Sequence, residues 1–169
     1  MADLSHSFQT VSDYHTKNTA VIQELNFDVF EISVLQIMRH FCEAFEQPVK
    51  QTWKSAFLEA ERIFSPPFGA TIAHAISITI DMVCLGRKRN FSYFRRTSTQ
   101  ADSLITDEER YFLMTLHYAR RGKRSSARSY AMMVNEGSNF EAFLSAVERL
   151  AIITGDLVIP DLKQRIISH

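Results

Sequence analysis

Along most of this chain apolar residues recur three and four positions apart, the spacing of a helix with one buried face. Phe30, Val34, Ile37, Phe41 and Phe45 predict a first helix over 29–46. Asp28 stands before it as an N-cap, Glu31 brings a carboxylate to the first-turn amides, and Phe27 and Ile32 occupy the staple positions. A second helix is expected over 48–64, with Pro48 tolerated in its first turn and a stripe of Val49, Trp53, Phe57, Ala60 and Phe64. Ser65, Pro66 and Pro67 break it from a third helix over 67–86. That helix is apolar on nearly every side, which predicts a place in the middle of a bundle, and Gly86 is its expected stop.

Three more helices follow. The fourth, 107–121, opens with Thr106 and Glu109 as a capping box, carries Asp107, Glu108 and Glu109 in its first turn and Arg120 and Arg121 in its last, and closes at Gly122. The fifth is short, 126–135, turning Ala127, Tyr130, Ala131 and Val134 inward and ending by Gly137. The sixth, 139–154, has Ser138 and Glu141 as a box, Phe140, Phe143, Leu144, Val147, Leu150 and Ala151 as its stripe, and Gly155 as its stop. Residues 1–27 lack a clear period. They are expected to form a mobile arm with a turn of helix near 19–25, docking through Ile22, Leu25 and Phe27. Residues 87–105 are expected to be irregular, and 160–167 could add one short helical turn. The fold class is therefore all-α: a single-domain bundle of about six helices over 28–169, with a basic, aromatic-containing loop between helices three and four.

Composition agrees. The 169 residues suit one domain, and 46% hydrophobic content supplies one core. Gly (5) and Pro (4) are scarce, which favours long helices over many short strands. Cys42 and Cys84 both fall in apolar helical patterns and no CxxC occurs, so neither a disulfide framework nor a Cys-based zinc site is expected. A cytoplasmic location is expected from that usage and from the polar N-terminal segment. The apolar run 68–85 contains His74, Ser77, Thr79 and Asp81, and reads as a core helix and not a membrane span.

Charge changes the picture more. The formal net charge is zero. Yet residues 1–86 hold 5 basic and 10 acidic side chains, 87–128 hold 11 and 4, and 129–169 hold 3 and 5. The middle third is a basic block between two acidic flanks. One dense piece is Arg87, Lys88, Arg89, Arg95 and Arg96 around Phe91, Tyr93 and Phe94; the other is Arg120, Arg121, Lys123, Arg124 and Arg128. Such residues neutralise phosphates, and interleaved rings stack on bases. The competing reading is cations at helix C-termini and aromatics docking a loop onto the core.

Candidate chemistry is sparse. His74, Ser77 and Asp81 share one face of the third helix, but His74 and Asp81 are separated by about 10 Å of rise, so a site needs a third group from elsewhere. His40 and Cys42 point to different faces, and His117 stands alone beside Tyr118. No HxxxH, Gly-rich phosphate loop or GxSxG is present, and neither a metal nor a cofactor is expected. The expected function is a non-enzymatic helical interaction module, of the bacterial regulatory or accessory type, binding an anionic partner such as an acidic protein through the basic block. The alternatives are nucleic-acid binding by the same surface, in the manner of a transcriptional regulator, and an enzyme or small-ligand binder near His74 and Asp81. A two-fold homodimer through an uncovered helix face is a further expectation.

Overall fold

The computed structural model describes residues 8–11 and 18–155. Six helices pack together: α1 (Val29–Glu46), α2 (Trp53–Phe64), α3 (Phe68–Gly86), α4 (Asp107–Arg120), α5 (Arg124–Val134) and α6 (Phe140–Gly155). Four three-residue strands join them: β1 (Phe8–Thr10), β2 (Thr19–Val21), β3 (Phe91–Tyr93) and β4 (Leu104–Thr106). The class is the expected helical one, with two small sheets added.

The sheets lie where an arm and a loop were expected. β1 runs parallel to β3, with Phe8 opposite Phe91 and Thr10 opposite Tyr93. β2 runs antiparallel to β4, with Thr19 opposite Thr106 and Val21 opposite Leu104. The described parts of the N-terminal arm are therefore sheet partners of the 87–105 segment. Phe8 is buried and stacks on Phe45 at 5.7 Å between ring centroids. Residues 22–24 form a single 3-10 turn, with Ile22 buried and Leu25 and Phe27 packed against the core. The remaining arm residues, and the turn expected over 160–167, lie outside the described residues.

Capping boxes form at the starts of α1 and α4. The Glu31 amide donates to Asp28 Oδ1 and the Asp28 amide to Glu31 Oε2, each at 2.9 Å. At α4 the Glu109 amide donates to Thr106 Oγ1 at 3.1 Å, and the Thr106 amide to Glu109 Oε2 at 2.9 Å. The box expected at Ser138 does not open α6. Asn139 adopts a left-handed φ of 44°, the helix starts at Phe140, and the Glu141 carboxylate takes Arg128 of α5.

α2 also begins late. Residues 48–50 make a 3-10 turn, and Gln51 at φ 52° is left-handed, so the chain changes direction before Trp53. The buried line is Ala56, Ala60 and Phe64. Val49 is left 95% exposed and Trp53 half out. Next, α2 and α3 pack closely because position 69 is glycine. A Cβ there would stand 2.5 Å from the Glu61 Cα, a backbone atom that cannot swing away. Gly86 ends α3 with an ordinary negative φ. It is needed because its Cα lies against the Asn135 side chain, which a Cβ would overlap.

The most fully buried helix is α1 and not α3. Phe30, Val34, Leu35, Ile37, Met38, Phe41 and Cys42 are all buried, covering more than one face. α3 packs on α2, α6 and α1, but only 44% of it is buried. Hydropathy on all sides indicated how apolar α3 is, and neighbours cover only part of that circumference.

Candidate functional site

Of the eleven cations in the basic block, seven pair with carboxylates of the acidic flanks and two, Arg96 and Arg110, with acids of the block itself. Arg120 bonds Asp28 Oδ2 at 2.6 Å and Glu31 Oε1 at 3.0 Å, and Arg121 bonds Glu31 Oε1 at 2.7 Å. Arg95 bonds Glu46 at 2.9 Å, beside the Tyr93 hydroxyl, which donates to the same carboxylate at 2.6 Å. Burial pushes the Glu46 carboxyl up, but these donors and the Arg95 charge outweigh it and hold the group below its usual range. Tyr93 is driven well above the ordinary phenol value, by burial first and then by its bond to Glu46. Arg96 reaches Asp102 at 3.0 Å, Arg124 reaches Glu148 at 2.8 Å, and Arg128 pairs with Glu141. Among the described residues only Lys88 and Lys123 of the block lack an ion-pair partner. The charge asymmetry of the sequence is consumed inside the fold.

The aromatic half of the expected surface lies inside the fold. Phe91, Tyr93 and Phe94 have no solvent exposure. Phe91 and Tyr93 alternate with Ser92 along β3, which sends both rings into the core. Phe94 lies under the Arg39 guanidinium, 5.6 Å from its ring centroid. These rings dock the segment and offer no face on which a base could stack.

The two basic pieces do not converge. Arg87 meets Glu108 at the first turn of α4, whereas Arg120 ends that helix. Twelve residues of helix separate them, about 18 Å. At the first end is a polar cleft of about 590 Å³, lined by Gln9, Asn18, Arg87, Arg89, Asn90, Ser92, Asp107, Glu108, Tyr111, Met133 and Glu136. Arg87 is 6% exposed there, 3.6 Å from Glu108 and 3.7 Å from Glu136, and donates to the carbonyls of Val134 and Asn90. Burial lowers the Arg87 pKa and raises that of Glu108. At Glu136 burial is outweighed by bonds from Arg89 and the amides of Lys88 and Arg89, which hold it low. Three carboxylates thus stand against two arginines, a balance that does not favour an anionic ligand.

His74, Ser77 and Asp81 share a face of α3, as expected, but the cleft includes none of them. His74 is exposed and the Ser77 hydroxyl donates to the His74 carbonyl at 2.8 Å. Asp81 is half-buried, and burial raises its carboxyl above the usual value. No group of three His, Cys, Asp or Glu side chains suited to a metal occurs among the described residues. Around these polar groups runs the uncovered side of α3. Phe68 is 50% exposed and Leu85 65% exposed, with Thr71 exposed and Ala75, Ile78 and Met82 partly so. The sequence reading missed this stripe, although its spacing of three and four was in plain view.

No family model matches this chain, and no curated protein or solved structure matches it significantly.

Proposed function

We propose that this chain is a non-enzymatic interaction module whose docking face is the open side of α3. The observation that carries the reading is the line of exposed and partly exposed residues from Phe68 through Thr71, Ile78 and Met82 to Leu85, on a helix otherwise seated in the core. An apolar stripe rimmed by polar groups is the usual signature of a surface that another molecule covers. The basic block supports this role less well, because its arginines already have carboxylate partners. Incorporating a photo-cross-linking phenylalanine analogue at Ile78, with Arg124 on α5 as the control position, tests the reading in cells. Protein adducts are expected from position 78. Adducts from position 124 alone, or from neither, would overturn it.

A second reading keeps an anionic partner at the 120–128 turn. What favours it is the unpaired Lys123 next to Arg124 and Arg128, whose side chains are 75% and 51% exposed. Salt-dependent retention of duplex DNA or an acidic peptide, lost in Lys123→Glu, would support it. No retention near 50 mM salt would remove it.

A further inference from the structure

We propose that the molecule covering α3 is a second copy of this chain, its α3 lying antiparallel across a two-fold axis that passes beside Ile78, so that His74 of each copy faces Asp81 of the other. The proposal rests on the docking face above and names its occupant.

The register follows from helix geometry. Successive residues turn by about 100° and rise by about 1.5 Å. With Ile78 taken as the centre of the exposed face, His74 and Asp81 lie at about −40° and −60°, on one edge of it. Ala75 and Met82 lie at about +60° and +40°, on the other edge, and Thr71 and Leu85 at about +20° and −20°, near the middle. A two-fold axis lying in the interface, perpendicular to both helices, reverses position along the helix and leaves each edge facing its own counterpart. His74 is about 6 Å before Ile78 and Asp81 about 4.5 Å after it. Across the axis they therefore meet at nearly the same height on the same edge, and symmetry repeats the pair. Ala75 meets Met82 by the same arithmetic, and Thr71 meets Leu85, so a small residue opposes a large one each time. Ile78 meets its own copy.

The face is thus complementary to itself in charge and in shape, as an isologous interface requires. Within one chain Asp81 has no ion-pair or hydrogen-bond partner among the described residues, although burial penalises its charge. The histidine of a second copy supplies what that carboxylate lacks. A contact confined mainly to one helix, about 28 Å long, falls at the small end of specific interfaces, so dissociation is expected at about micromolar concentrations. Residues near the centre, 74 to 82, meet when the helices cross at a shallow angle.

The test is sedimentation equilibrium over a micromolar concentration series with the full chain. The wild type is expected to pass from monomer to dimer. Ile78→Arg places two cations face to face on the axis and is expected to remain monomeric, with an unchanged circular dichroism spectrum because the position is only partly buried. His74→Asp, at an exposed site, sets two like-charged pairs and is expected to weaken association at least about tenfold. His74→Asp with Asp81→Lys restores opposite charges and is expected to recover it. A wild type that stays monomeric, a dimer that survives Ile78→Arg, or a double variant no better than His74→Asp would each overturn the proposal. A monomeric chain that instead sediments with phosphatidylcholine vesicles through the same face would also overturn it. If the chain is monomeric but position 78 cross-links to a protein of different mass, the second copy is wrong and the docking face stands. If position 78 gives no adduct, the docking face fails.

Discussion

Replacing Glu109 by glutamine would remove one charge from a pair that lies out of solvent. Arg39 of α1 is 1% exposed and Glu109 of α4 not at all. The Glu109 carboxylate accepts from Arg39 Nε at 2.7 Å and Nη2 at 2.9 Å, from the Phe94 amide at 3.2 Å and from the Thr106 amide at 2.9 Å. Arg39 also donates to the carbonyls of Ala101 and Leu104. One ion pair thus caps α4, joins it to α1 and ties down the segment between β3 and β4. Glutamine keeps one acceptor oxygen and turns an NH2 toward groups that are themselves donors. Losing one partner of a buried pair costs about 3–5 kcal/mol. That is a large share of the roughly 5–15 kcal/mol a domain commands. With a urea slope of about 2 kcal/mol per molar, the midpoint should fall by roughly 1.5–2.5 M. Arg39→Met should cost a similar amount, since it leaves the carboxylate buried without its cation. The double variant has no unpaired charge; the carbonyls of Ala101 and Leu104 lose that donor, and one of the Phe94 and Thr106 amides loses its acceptor. It should fall short of the sum of the singles by at least about 2 kcal/mol. Urea titrations followed by circular dichroism at 222 nm measure all three. A Glu109→Gln cost under about 1 kcal/mol, or strict additivity, would refute the reasoning.

Three further outcomes are expected. Gly86→Ala should destabilise by about 1–3 kcal/mol through overlap with Asn135, and Asn135→Ala should relieve most of that. The Asn135 side chain is buried and makes no hydrogen bond, so its removal forfeits none, and equal melting temperatures for Gly86→Ala with and without Asn135→Ala would argue otherwise. Burial pushes the Cys84 thiol up to about 12 and raises Cys42 well above its usual value, so a thiol reagent at neutral pH should find none reactive in the native chain and two after unfolding; rapid native labelling would contradict this. Asp81 is raised by burial, so the folded chain holds that proton more tightly than the unfolded one. Its contribution to stability is full below the unfolded value of 3.8 and is lost as pH rises through the folded value. Asp81→Asn should therefore raise the melting temperature at pH 7 relative to wild type, measured too dilute for self-association, and a fall would count against it.

The starts of α1 and α4 were legible because a local chemical signal marked each, whereas the similar signal at Ser138 and Glu141 did not mark that of α6. Asp28 with Glu31 and Thr106 with Glu109 carry their own hydrogen bonds, and α1 and α4 begin where those boxes place them. The start of α2 was not legible, because Pro48 suits a 3-10 turn as well as a first helical turn and the left-handed Gln51 has no strong sequence mark. Nor were the strands. Each has three residues, too few for a period, and β1 finds its partner only in a segment far along the chain. The alternation of Phe91, Ser92 and Tyr93 was the available clue to β3. At the candidate site the cations were plain, but their partners were not. Glu31 and Glu109 read as helix caps, and a cap that also binds an arginine from another helix looks the same in sequence.

Those double-duty caps have a consequence for synthesis on the ribosome. Arg39 and Glu109 are 70 positions apart, and Asp28 and Arg120 are 92 apart. At about 5–20 residues per second, the first pair waits roughly 4–14 s between the making of one member and the making of the other. Through that interval α1 holds a buried-type arginine with no carboxylate, and until residue 93 is made β1 has no strand to join. The helical hairpin of α2 and α3 emerges meanwhile and can cover part of α1. The nascent N-terminal half must therefore tolerate an unfinished core until α4 arrives, and a chain released before residue 109 would keep it unfinished.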